Sequence, residues 1–246
     1  AVQEIDLASK RSCFINQVDY ISRTCNFPFF AFAYTWDLKW VPYPFTLNPI
    51  NHFGKVLAGQ AVFSKFPILD QTITTFPKPR ANNPLYNSFF LDRVLQTVTL
   101  QLETDFGVNI HNVHLEAFHK EARLNQIRSI VDLLQKPKIA LPSIILGDFN
   151  AIAQGSIEID RFPDSPNIDY GKDPTLETLL NLNEWDEVGS EKPDLKTFPS
   201  DSPNRRLDYI FYSNAAFSLD ETFVDPNVNG ASDHLPILAD FSTFKN

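Results

Sequence analysis

Apolar and polar residues change their period many times along this 246-residue chain, and each change marks an element. Phe14, Val18, Ile21 and Cys25 recur at helical spacing, so 6–25 is predicted to be helical. Residues 29–36 form an aromatic-rich strand candidate, and 37–53 reads as an insertion carrying prolines and asparagines. A strand is predicted over 55–65, ended by Phe66-Pro67, and another over 69–76, followed by a proline-spaced loop to Pro84. Residues 93–103 alternate, with Val94, Val98, Leu100 and Leu102 on one face, and 107–115 is the expected hairpin partner. Leu124, Ile127, Val131 and Leu134 mark the clearest helix. The apolar run 143–146 predicts a central strand buried on both faces. A further helix is expected to open at Asp173-Pro174, with Asp173 as its cap. Strands at 207–213, 217–224 and 236–241 complete the pattern.

Many strands with few helices predict two packed sheets with helices outside. No repeat, low-complexity tract or linker interrupts the chain, so residues 1–246 are expected to form one domain. The formal net charge of −9 argues against a protein that grips duplex DNA nonspecifically, because such binding relies on a basic face. No apolar run is long enough to span a membrane. Cys13 and Cys25 stand about 18 Å apart if they share one helix rising about 1.5 Å per residue. That is too far for a disulfide, and two free, buried thiols are expected. Nothing in the chain fixes a compartment, and a monomer is expected.

Four segments carry candidate chemistry. Gly147-Asp148-Phe149-Asn150 leaves the apolar strand, where glycine permits a sharp exit. Strand ends feeding loops are where α/β proteins place reactive groups. Asp148 can accept a proton or orient a water, and Asn150 can donate to a phosphoryl oxygen. In Ser232-Asp233-His234-Leu235-Pro236, His234 is a natural general acid or base near neutral pH. Asp233 adjoins it in sequence and does not face it, so the orienting carboxylate must come from elsewhere. Gln3-Glu4 stands at the end of the first strand, and Arg206-Leu207-Asp208-Tyr209 at the start of a later one. Asn112 and His114 share a strand face. Arg93 and Arg206 are candidate phosphate ligands, since guanidinium groups pair bidentately with phosphate. Taken singly, each of these also reads as a turn or a surface ion pair.

Together, in this order, the four segments resemble the endonuclease/exonuclease/phosphatase family, the superfamily of pancreatic DNase, abasic-site endonucleases, neutral sphingomyelinases and inositol polyphosphate 5-phosphatases. The resemblance implies an α/β (α+β) fold: a four-layer α/β/β/α sandwich of two packed mixed sheets with outer helices, DNase I-like. It also implies a phosphoesterase dependent on Mg²⁺ or Mn²⁺. Glu4 corresponds to the metal-binding glutamate, and Asp233 to a metal ligand or a residue just behind one. Asp208 corresponds to the partner of His234, and His114 to a histidine on the scissile phosphate or the leaving oxygen. Oxygen donors without cysteine suit magnesium better than zinc. The family takes an asparagine from a preceding strand that has no counterpart here. The chain also holds no methionine, so the domain is expected to continue upstream with its first strand.

The expected substrate is a phosphodiester of small or lipid type. The alternatives are a nuclease on DNA or RNA, a phosphoinositide-type phosphomonoesterase, and a noncatalytic binding module on the same fold. Trp36, Trp40, Tyr43, Phe45, His52 and Phe53 give 36–53 an aromatic character. That segment reads as a platform stacking bases, as a contact with a peripheral membrane or lipid surface, or as a loop covering core.

Overall fold

Aromatic and β-branched residues dominate the first third of the chain and form its strands. The computed structural model describes residues 1–135, 141–154, 162–163, 165, 170, 173–192, 195–228 and 230–244. They fall into two units, Ala1–Val113 and His114–Asn246. The first holds an antiparallel sheet in the order β1-β3-β2, with β1 at Val2–Asp6, β2 at Phe29–Val41 and β3 at Gly54–Ser64. The strands β4 (Ile68–Thr75), β5 (Val94–Glu103) and β6 (Phe106–His114) pair antiparallel in sequence order, the last residue of β6 opening the second unit. Ala31 and Val62 of the first sheet pack on Val98 and Leu100 of β5. The outer face of β1 and β3 is covered by helix α1 (Gln17–Thr24), whose buried Val18 meets Ile5 and Ala61.

A polar knot crosses this apolar core. Asn112 is fully buried; its Oδ1 accepts from Gln3 Nε2 at 2.6 Å, and its Nδ2 donates to Gln96 Oε1 at 3.0 Å. Gln60 Nε2 donates to the Asn112 carbonyl at 2.7 Å. Such a network tolerates burial because its members largely satisfy one another, with Gln60 Oε1 left over. His111, also on β6, is 1 % exposed and meets Thr97 Oγ1 through Nδ1 at 2.9 Å. Burial pushes its pKa down from 6.5 to about 4. The unfolded chain therefore binds the extra proton first, so the stability due to neutral His111 is complete above about 6.5 and is lost as pH falls through about 4. Urea unfolding at pH 7 and near pH 4 should show a loss on the order of 3 kcal/mol that His111→Gln lacks.

The single helix expected over 6–25 is broken. A 3-10 turn at Lys10–Ser12 ends in left-handed Cys13 and Phe14 (φ 53° and 60°), and α1 starts afresh where the Asn16 side chain caps Asp19 N. Both cysteines are free, as expected, but they are exposed rather than buried. The β2 strand runs on into the expected insertion because Trp36, Leu38 and Phe53 continue its packing around Val41, Val56 and Ala58. The expected proline loop contains a short helix, α2 (Pro84–Phe89), opened by Pro84 and by Asn83 Oδ1 accepting from Leu85 N at 2.8 Å.

In the second unit come α3 (Lys120–Leu134), β7 (Ser143–Asp148), α4 (Thr175–Leu180) and β8 (Trp185–Glu187). They are followed by β9 (Asp208–Ser213), β10 (Phe217–Val224) and β11 (Ile237–Thr243). Strand β9 pairs antiparallel with both β7 and β8, and β10 with β11. The buried face of α3 is Leu124, Ile127 and Ile130, turned from the expected Val131 and Leu134 because Arg123 is buried beside it. That guanidinium donates to Asp173 Oδ2 from Nε (3.0 Å) and Nη2 (2.6 Å), and Nη1 donates to the carbonyls of Glu116 and Ala117. Asp173 Oδ1 also accepts from Thr175 N, while Pro174 takes the cap position of α4, one residue later than expected. The β7 strand is buried alternately: Ile145 is inaccessible, while Ile144 and Leu146 are half-buried. The architecture is mixed α/β with two main sheets and few helices.

Candidate active site

Strands β7 and β9 run antiparallel in a register that sets Asp148 directly opposite Asp208 at their ends. Residues opposed in this way share a sheet face. Behind them Phe149 is fully buried against Tyr209 and Phe211, at ring distances of 5.9 and 5.3 Å, so the chain leaving β7 has little freedom. Gly147, at φ 135°, supplies the backbone shape that a side chain would oppose. Asn150 takes the left-handed conformation (φ 48°) and closes a tight turn on Asp148. Its backbone N donates to Asp148 Oδ1 at 2.8 Å, and its Nδ2 donates to Asp148 Oδ2 and to the Leu115 carbonyl, both at 3.0 Å. His114 Nε2 lies 3.4 Å from Asp148 Oδ2. Asp148, Asn150 and His114 are thus brought together, all three buried.

His234 donates or shares its Nδ1 proton with Asp208 Oδ2 at 2.7 Å, which leaves Nε2 on the far side of the ring. The ring packs on Phe198, 4.7 Å between centroids. Burial pulls the His234 pKa down, but the hydrogen bond and charge of Asp208, with Asp148 and Asp233 adding, outweigh it and push the value up to about 9. The pair is held by Thr197, a fully buried residue with no signal in the sequence. Its Oγ1 accepts from Leu207 N and Asp208 N at 3.1 and 3.2 Å, and its carbonyl accepts from Leu235 N at 2.7 Å. Thr197 therefore ties both sides of the Asp208–His234 pair to one residue, through its hydroxyl on one side and its carbonyl on the other.

Arg206 donates from Nη1 to Glu187 Oε1 (2.9 Å), from Nη2 to the Val188 carbonyl (2.8 Å) and from Nε to the Asp208 carbonyl (3.1 Å). All three of its nitrogens are committed to protein, and the group braces the start of β9 rather than presenting a fork for phosphate. Arg205 is likewise enclosed, its guanidinium 4.3 Å from the Phe162 ring and 4.5 Å from Phe198. In the first unit Arg93 is buried just before β5, its carbonyl accepting from Phe76 N.

Glu4 does not end its strand. It lies within β1 at a bulge, where pairing steps from Val2↔Ala61 to Ile5↔Gly59, and its φ of 54° is rare for such a side chain. Bulges re-aim side chains, and non-glycine residues held at positive φ cluster at functional sites. Asp233 is exposed, and its carbonyl accepts from Ser200 N at 2.7 Å. Among the described residues no three His, Cys, Asp or Glu side chains are grouped to hold a metal ion. Magnesium needs only one or two carboxylates and keeps waters for a substrate phosphate, so an oxygen donor such as Glu4 or Asp233 fits it.

Comparison with known proteins places this geometry. Residues 1–234 match the model of the Endonuclease/Exonuclease/phosphatase family. No curated protein matches the sequence. Among solved structures, an endonuclease/exonuclease/phosphatase from Beutenbergia cavernae is 22% identical over 92% of this chain and 56% of that one, with a TM-score of 0.66. The chain thus spans little more than half of that protein. The mannosyl-6-phosphatase of Bacteroides thetaiotaomicron is 15% identical over 98% of this chain and 83% of that one, with a TM-score of 0.61. The catalytic domain of human Nocturnin is 17% identical over 98% and 79%, with a TM-score of 0.60. These likenesses show the DNase I-like fold. The chain belongs to the endonuclease/exonuclease/phosphatase family, whose members are hydrolases of phosphate esters.

Proposed function

We propose that the chain is a Mg²⁺- or Mn²⁺-dependent phosphoesterase that hydrolyses a phosphodiester by in-line attack of water. The observation that carries this reading is the 2.7 Å Asp208–His234 hydrogen bond, beside the strand-end register that opposes Asp208 to Asp148. A base or acid oriented by a carboxylate is the recurring device for moving a proton at neutral pH. In this reading Asp148 orients the water and takes its proton, the water oxygen forms the new bond to phosphorus, and the ester P–O bond opens. His234 presents Nε2–H to the phosphate and returns a proton as the ester oxygen leaves. Asn150, whose two amide protons go to Asp148 and the Leu115 carbonyl, holds Asp148 in place, and His114 beside it hydrogen-bonds a phosphoryl oxygen. Glu4 and Asp233 are the proposed metal carboxylates, and the cation, when bound, supplies Lewis-acid stabilisation of phosphoryl charge.

The acidic net charge favours a small or lipid-type diester over duplex DNA. The test is hydrolysis of an aryl phosphodiester and the matching monoester, with Mg²⁺, with Mn²⁺ and with chelator. Turnover that needs metal and prefers the diester is expected. No turnover with either metal, together with no Mg²⁺ binding by calorimetry, would replace the enzyme with a binding module on the same fold.

A further inference from the structure

Trp36 and Phe53 of the aromatic segment cover core, packed against Val41, Val56 and Ala58, but the rest of the segment stands out from it. Trp40, Tyr43, Phe45, Leu47 and Ile50 are 47, 50, 62, 104 and 78 % exposed, and Leu85 of α2 is 69 % exposed beside them. These side chains belong to one built surface. Tyr43 packs edge-on against Phe53 (5.2 Å) and Phe45 (5.9 Å), and Phe45 reaches Tyr86 of α2 at 6.1 Å. The base is anchored by Trp36, whose Nε1 donates to the Phe89 carbonyl at 2.9 Å. Lys10 Nζ clamps the loop by donating to the carbonyls of Ile50 and His52 at 2.9 and 3.1 Å. The fold thus leaves two aliphatic side chains, Leu47 and Ile50, in solvent on a loop whose ends are clamped. Monomeric proteins rarely expose contiguous apolar surface of this kind without a partner for it.

Charge selects the partner. Segments 38–55 and 76–91 contain none of the chain's 30 acidic residues, yet they carry Lys39, Lys55, Lys78 and Arg80. Lys78 is paired with Asp92 at 3.3 Å, which leaves Lys39, Lys55 and Arg80 as exposed cations flanking the apolar residues in sequence, a locally basic stretch in a protein of net charge −9. A platform for single-stranded nucleic acid needs flat ring faces along a basic groove, whereas the most exposed groups here are aliphatic. Exposed aliphatic side chains, interfacial Trp and Tyr, and a basic stretch are together what an anionic bilayer surface takes up.

We propose that this surface docks the protein on anionic lipid bilayers, with Leu47 and Ile50 inserted among the acyl chains and Trp40 and Tyr43 at headgroup level. Docking is read by vesicle binding and the chemistry by ester turnover, so the two readings fail separately. The test is sedimentation of the full chain with vesicles of phosphatidylcholine alone and of phosphatidylcholine mixed equally with phosphatidylserine. Binding to the mixed vesicles, weakened by salt, is expected. Leu47→Ser/Ile50→Ser and, separately, Lys39→Glu/Lys55→Glu should each weaken it about tenfold or more. Neither pair should alter turnover of a soluble aryl ester, which also reports that the variants fold. Failure to sediment with either vesicle would overturn the proposal, as would binding unchanged in both variants. So would loss, in the Leu47/Ile50 variant, of oligonucleotide binding or of self-association in place of vesicle binding.

Discussion

Alanine at His234 is expected to lower kcat for metal-supported ester hydrolysis by about 10³-fold, within the range found for positioned general acid–base groups. Asp208→Asn should cost nearly as much, because an amide cannot stabilise the imidazolium and can hold the wrong tautomer. The double variant should be little worse than either single one, since the two residues act as a unit through their 2.7 Å hydrogen bond. A structural role alone would not produce that non-additivity. Protein stability gives a second readout, taken without metal. The folded pKa of His234 is raised to about 9 from 6.5. Its contribution, on the order of 3 kcal/mol, is therefore fully present below the unfolded value and is lost as pH rises through the folded one. Urea unfolding of the wild type should weaken between about pH 6.5 and pH 9, and Asp208→Asn should remove most of that slope. Additive losses in kcat, or an unchanged slope in the variant, would dissolve the pair as a functional unit.

Asp173→Ala is expected to destabilise the protein by about 3–5 kcal/mol, the cost of leaving one buried charge without its partner. Side-chain exposure is 1 % for Arg123 and none for Asp173, and the guanidinium has no route to water. Total stabilities of about 5–15 kcal/mol make such a loss a large fraction of the whole. Asp173 also accepts from Thr175 N and Thr175 Oγ1, so the start of α4 should loosen with the pair. Replacing both partners with apolar residues, as in Arg123→Met/Asp173→Leu, should recover much of the deficit, because no unpaired charge is then buried. Urea denaturation of the wild type and the two variants decides the matter. A double variant as unstable as Asp173→Ala would show that the hydrogen bonds to Thr175, Glu116 and Ala117 matter more than the charge.

The difference between what was legible and what was not follows the range of the forces involved. Period-two alternation marked β5 and its hairpin partner β6, and helical spacing marked α3, since each records a face presented to a core by neighbours in sequence. The strand-end motifs were legible for a related reason: Gly147, Asp148 and Asn150 form their turn within four residues. The helix expected over 6–25 failed because its apolar spacing said nothing of the left-handed breaks at Cys13 and Phe14. Arg206 drew attention as a phosphate ligand because its chemistry allows it, while its three protein acceptors come from β8, the residue after it and β9.

Sequence alone established the chemistry available: carboxylates, an amide and imidazoles at strand ends, an acidic total and an aromatic insertion. Pairing across long separations required the folded chain. Asp148 meets Asp208 only because β7 and β9 are neighbours in one register, and Arg123 meets Asp173 only because α3 lies against the start of α4. Exposure of Leu47 and Ile50 was likewise settled in three dimensions, where Lys10 and Trp36 fix the loop's base and leave these two side chains in solvent. Local periodicity is written in adjacent residues, whereas the partner of a charge or an apolar side chain is chosen by packing, which no stretch of sequence contains.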